Sequence, residues 1–160
     1  MLLRVVSGTM SMLKDRLETD LRTAMKARDE LVTSTLRMAL AAVRNAEVAG
    51  DQARELGEDE VQAVLTREAK KRREAATAFA DAGRAEQAER ERAEEGVLTG
   101  YLPSQLSDEE LTGIVAQALT GVDTSGRGAM GQAMKAAQGA VAGRAEGGRV
   151  AAEVRRQLGL

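Results

Sequence analysis

The densest charged stretch of this chain is Glu68-Ala69-Lys70-Lys71-Arg72-Arg73, with Arg67 just before it. Lys and Arg neutralise nucleic-acid phosphates, so such a run invites an RNA or DNA partner. At 100° per residue the run does not share one helical face. Arg67, Lys70 and Lys71 point away from the apolar stripe of their helix, and Arg73 lies at its edge. Two readings stand for the outward set: phosphate contact, or a solvated face with Lys70 and Glu74 as an i,i+4 pair. Arg72 falls inside the stripe, and so does Glu68 four residues earlier. Opposite charges on a core-facing side are costly unless paired, so these two read as a partly buried ion pair that fixes helix register. A catalytic acid is the sharper reading of Glu68, but a neighbouring guanidinium lowers a carboxyl pKa and makes a poor proton donor at neutral pH.

A second cationic group lies near the C-terminus, in Gly143-Arg144-Ala145-Glu146-Gly147-Gly148-Arg149. Read as a loop before a helix start at Arg149, it offers backbone N–H groups to a phosphate, with Arg144 and Arg149 adding charge. The Lys-Ser/Thr pair of a nucleotide-binding Walker loop is missing. Gly126, Gly128 and Met130-Gly131 mark another exposed helix start, and Lys135 lies on the helix that follows. The plainer alternative is that these glycines cap and turn short helices. Arg37 and Arg44 lie together on one edge of an earlier helix, where they either bracket a phosphate or pair with acids such as Glu47 or those of the fourth helix.

Composition removes many other chemistries. The 160 residues include no Cys and no His. Disulfides, thiolate or imidazole zinc sites, Cys nucleophiles and Ser-His or Cys-His catalytic pairs are therefore excluded. No carboxylates are singled out by a metal-ligand spacing, so no catalytic residue, metal or cofactor is expected. Tyr101 and Phe79 are the only aromatic rings, which rules out base stacking on an aromatic sheet. The 23 basic and 25 acidic side chains nearly cancel, so no global field demands a polyanion. The longest apolar run, Met38 to Val43, is far too short to span a membrane. Residues 1–12 fail as a signal peptide and read as a disordered extension or an early start codon, which gives a cytoplasmic protein as the expectation.

The elements that must position these side chains are helical, because no alternating β-branched or aromatic run reaches five residues. Leu13, Leu17, Leu21, Ala24 and Met25 share one face of a first helix, and Asp29 can cap a second, roughly 30–49, ended by Gly50. The acids after Gly57 suit the start of a third helix, which Gly83 ends; a fourth runs from about Ala85 to Thr99. Ser107 and Glu110 form a capping box for a fifth, closed by Gly121. A sixth is placed around 130–137 and the last at 149–158. Twelve of the sixteen glycines lie at or after Gly96, and the only proline is Pro103. That shift divides the chain into an N-terminal helical bundle, 13–103, and a C-terminal domain of short helices, 104–160, with a hinge at Tyr101-Leu102-Pro103.

Several stretches together resemble the YqeY-like proteins, which share a tail domain with the B subunit of the tRNA-dependent aspartyl/glutamyl amidotransferase. They are Leu36-Arg37-Met38, Glu68 to Arg73 with Phe79 and Ala82, the hinge Tyr101-Leu102-Pro103-Ser104-Gln105-Leu106-Ser107, Ala129-Met130-Gly131, and Gly143-Arg144-Ala145-Glu146-Gly147. They occur in the family's order, over about 13–160. The resemblance implies an all-α, two-part molecule. It also implies tRNA as a partner, or an amidotransferase subunit, with Arg67, Lys70, Lys71, Arg73, Lys135, Arg144 and Arg149 as candidate phosphate contacts. The family-level label, a carbon–nitrogen ligase with glutamine as amido-N-donor, belongs to the larger enzyme, whose catalytic domain a chain of this length cannot contain. The alternative function is a protein–protein interaction module with no nucleic-acid role. The chain departs from the pattern at Glu95-Gly96 and at Ala137 and Gly139, where bulkier apolar residues are usual. Those changes predict a looser fourth helix and a softer C-terminal domain.

Overall fold

The computed structural model describes residues 11–160, which form seven α-helices and, among the described residues, no strand. The chain is all-α, and it forms two compact units, one ending at Leu102 and one beginning at Pro103. Of the extension expected over 1–12, the first ten residues lie outside the described part. Ser11 is buried and caps the first helix by accepting from the Lys14 N–H at 3.1 Å, and Met12 is that helix's first residue.

The first unit holds α1 (Met12–Ala27), α2 (Glu30–Glu47), α3 (Glu58–Asp81) and α4 (Ala85–Thr99). Asp29 caps α2 through the Val32 N–H at 3.1 Å. Leu17, Leu36, Leu40, Val43, Val61, Leu65 and Leu98 fill the core at 1% exposure or less. Each contributes about 1.5–3 kcal/mol of apolar burial. The helix α2 stops at Glu47, short of the expected 49. The Glu47 carboxylate accepts from Lys14 Nζ at 3.0 Å and from the Leu56 N–H at 3.2 Å, and its carbonyl accepts from the Arg54 N–H. The chain has therefore turned before it reaches Gly50. Gly83, at a φ of 75°, closes α3. The Arg84 N–H then bonds back to the Phe79 carbonyl at 2.8 Å and sends α4 alongside α3.

The second unit holds α5 (Asp108–Leu119), α6 (Ala129–Val141) and α7 (Gly147–Leu158). Val115, Ala133, Ala137, Val141, Val150 and Val154 form its fully buried centre. The small Ala133 and Ala137 let α6 approach its neighbours closely. Two boundaries differ from expectation. The stripe of Ala133 and Ala137 continues to buried Val141, so α6 passes through Gly139 and ends four residues beyond Ala137. The last helix begins at Gly147, so Gly147 and Gly148 form its first turn and not a loop.

Tyr101 and Leu102, expected at a hinge, are packed on the first core. The Tyr101 hydroxyl donates to Asp20 on α1 at 2.5 Å, and the Arg16 guanidinium lies 4.6 Å above the ring centre. Burial and the Asp20 carboxylate push the phenol pKa well up. The change of unit falls after Leu102.

Candidate functional site

The seven candidate cations fall into three groups. Arg67, Lys70 and Lys71 stand exposed on the outer face of α3. Lys70 lies 3.9 Å from Glu74, and Lys71 donates to Glu68 at 3.1 Å. The Lys70–Glu74 pair is exposed on both sides and worth about 0–1 kcal/mol, so an approaching phosphate exchanges with it at little cost, whereas Glu68 is the part-buried end of the Lys71 pair. Arg67 has no side-chain partner among the described residues, and neither does Lys135 on the outer side of α6. Arg73 reaches across the hairpin to Glu95 at 3.3 Å. Glu95, which departs from the expected apolar residue, thus gains a partner on α3.

Arg144 and Arg149 are engaged inside the second unit. The Arg144 side chain donates from Nε to the Val141 carbonyl at 3.1 Å and from Nη2 to the Ala140 carbonyl at 3.3 Å. It thereby caps the C-terminus of α6, whose last carbonyls lack helical partners. Arg149 Nη2 donates to the Leu106 carbonyl and to Asp108, each at 2.9 Å. The Leu106 N–H in turn donates to the Arg144 carbonyl at 2.7 Å. The segment after Pro103 and the Gly143–Gly147 segment are therefore bonded to each other. Glu146 is the N-cap residue of α7, and its side chain makes no cap hydrogen bond.

The pairing of Glu68 with Arg72 is part of a larger cluster. Arg72 lies 3.7 Å from Glu68 and 3.4 Å from Glu94, with its side chain 14% exposed. Glu94, at 6%, is the one buried carboxylate residue among the described residues. Arg90 approaches it from outside at 3.4 Å. Glu91 lies one turn before Glu94. Burial first, and the Glu94 charge next, push its pKa above the ordinary carboxylate range. Sequence reasoning missed both acids. The signal was there: Ala88, Glu91, Glu94 and Leu98 fall on one stripe of α4, so two of its core-facing positions carry Glu.

Arg37 is exposed without a partner among the described residues, and Arg44 acts on Glu47 only through space. Glu47 belongs instead to Lys14, whose hydrogen bond is the first cause of its lowered pKa. Among the described residues, no group of three or more Asp or Glu is placed to hold a metal ion, and no helix is long and apolar enough to cross a membrane. A cleft of about 480 Å³ opens in the second unit beside Leu119, Arg127, Met130, Leu158 and Leu160.

No curated protein matches the sequence. Residues 14–158, nearly the whole chain, match one family's sequence model, and the chain belongs to that family, the Yqey-like proteins.

Proposed function

We propose that this chain is a stand-alone tRNA-binding module, accessory to tRNA-dependent amidotransfer and without amide chemistry of its own. Family membership over nearly the whole chain is the observation that carries the reading. The resemblance to the amidotransferase tail supplies tRNA as the partner. The exposed trio Arg67, Lys70 and Lys71, one helical turn on the outer face of α3, supplies cations free to meet phosphates. Lys135 adds one on the second unit.

Four such contacts set the scale. At about 0.7–0.9 per phosphate, log affinity for bulk tRNA falls with log salt at a slope of roughly −3 to −4. Between about 50 and 200 mM salt, affinity drops roughly 50- to 150-fold. Fluorescence anisotropy against labelled tRNA reads both quantities. Charge reversal of Arg67, Lys70 and Lys71 together removes most of the slope. Undiminished affinity in that variant, with its helical circular dichroism intact, sinks the assignment.

A second reading rests on the open cleft beside Leu119, Met130 and Leu158, where apolar side chains alternate with Thr124, Arg127 and Gln157 and offer a protein segment both apolar and polar contacts. Here a pull-down that still recovers one partner after nuclease treatment favours the protein, and recovery lost with nuclease favours the tRNA.

A further inference from the structure

Three carboxylates crowd one buried guanidinium where α4 meets α3. Glu68 and Glu94 each face Arg72, and Glu91 lies on the same stripe of α4. From α2 the contact at Arg72 is Met38 Sδ at 3.7 Å, which brings no charge. Lys71 is drawn outward to Glu68, and Arg73 and Glu95 pair with each other nearby. The other two cations that reach the cluster, Lys71 at Glu68 and Arg90 at Glu94, are 67% and 60% exposed. Acids therefore outnumber the buried cations.

Two buried atoms of the cluster have no hydrogen-bond partner, Arg72 Nε and Glu91 Oε2. A buried polar atom without a partner costs about 1–3 kcal/mol, so such atoms require an explanation. For Glu91 Oε2 a proton supplies one, turning the oxygen into a donor, while Arg72 Nε keeps its ion pair with Glu94 at 3.4 Å. Glu94 lies one turn on along the same stripe of α4, where a proton on Glu91 can be donated to its carboxylate. That proton also removes one of the excess charges.

We propose that the α3–α4 hairpin carries a one-proton latch: Glu91 holds a proton against Glu94 while α4 is docked, and loss of that proton as pH rises loosens α4 from α2 and α3. Burial, the Glu94 charge and the hydrogen bond to it hold the proton on; Arg72 and Arg90 only partly oppose them. The folded state then keeps a proton that an unfolded glutamate, with its ordinary pKa of 4.5, has lost. Stability falls as pH rises above that value, and for one proton the unfolding constant grows at most tenfold per pH unit.

The signal is isolated by the composition. With no His and no Cys, no imidazole or thiol titrates in the neutral range. The carboxyls of Glu47, Glu60, Asp123 and Glu153 are held down and act below the ordinary range. Tyr101 is pushed up and acts above it. Tyr101 is also the only Tyr in a chain without Trp, and it belongs to the first unit, so its emission reports that unit alone.

The test is urea unfolding of the full chain, followed by Tyr101 emission at several pH values from about 5 to 8. The wild-type midpoint falls with rising pH. In Glu91→Gln the amide keeps a donor toward Glu94 without a titrating proton, so the midpoint stays level and exceeds wild type at the alkaline end. Arg90→Gln removes an opposing cation and moves the wild-type window to higher pH. A wild-type midpoint that is level or rising over this range overturns the latch. So does an unchanged slope in Glu91→Gln, or an Arg90→Gln window that stays put or moves down. If Glu91→Gln fails to fold, the wild-type slope and the carboxyl carbon shift of Glu91, followed by NMR, remain decisive.

Discussion

Replacing Arg149 with Ala separates a structural cation from an RNA-binding one. Arg149 Nη2 donates to the carbonyl of Leu106, a residue 5% exposed, and to Asp108, whose side chain is 96% exposed. The two bonds are far from equal. Loss of the first leaves a buried carbonyl without its side-chain donor, at about 1–3 kcal/mol. Loss of the second forfeits an exposed ion pair worth about 0–1 kcal/mol. A total near 2 kcal/mol lowers the melting temperature of so small a unit by roughly 10 °C, at about 4–8 °C per kcal/mol. Far-UV circular dichroism follows the helices of both units, and Tyr101 emission follows the first alone, so the early transition appears in the first signal and not in the second. The salt slope of tRNA binding, measured well below the melt, stays at its wild-type value. Asp108→Asn leaves the melt within about 2 °C. An Arg149→Ala protein that melts like wild type while its salt slope drops by about 0.9 refutes the assignment, because the guanidinium is then spent on a phosphate.

Arg72→Met leaves Glu68 and Glu94 without their shared cation and costs the first unit about 3–5 kcal/mol at neutral pH, read by urea titration of Tyr101 emission. Arg28 ends α1 in the left-handed region, at φ 55° and ψ 35°. Arg28→Gly relieves that conformation and raises the urea midpoint, a gain of about 0.5–1 kcal/mol after the added freedom of the unfolded chain. In acid, Glu153 supplies a separate test. Its bonds to Arg156, then Gln157, hold its pKa down to about 2 against an ordinary 4.5. The stability it adds is complete above 4.5 and is lost as pH falls toward 2. Glu153→Gln is therefore less stable than wild type near pH 7, by about 1 kcal/mol after screening, and the two converge in acid.

The sequence was most legible where local chemistry decides. Asp29 and Ser107 cap the helices they were expected to cap, because an N-cap needs only its own side chain and an N–H three residues on. Ala85–Thr99 emerged at its expected bounds despite Gly96, whose place a Cβ could take without meeting any atom within 4 Å. Reading failed where a distant residue decides. The end of α2 is set by Lys14 and Leu56, which meet Glu47 only in the fold. The glycines at 147–148 read as loop because glycine is a poor helix former, yet Val150 and Val154 bury the far side of the same helix and override that preference. The α3 cluster was half legible. Its stripe position exposed the Glu68–Arg72 pairing, but only the arrival of α4 adds Glu94 and Glu91.

The residues that carry the family resemblance do different physical jobs, and this bears on where RNA contact is to be sought. The segment after Pro103 and the Gly143–Gly147 segment hold one another through Leu106, Arg144 and Arg149, so their residue types are accounted for by packing and hydrogen bonding within the second unit. Tyr101 is accounted for in the same way by Asp20 and Arg16. The charged stretch of α3 divides. Arg72 is consumed by the α4 carboxylates, and Arg73 reaches Glu95. What internal structure leaves over is Arg67, Lys70 and Lys71. A solvated helix face needs charge of either sign, and Glu74 shows that acids are tolerated there. Lys70 and Lys71 on α3, with Arg67 beside them, and Arg37 on α2 are therefore the exposed cations of these stretches that packing does not explain, and removal of the α3 trio should change the salt slope without changing the melt.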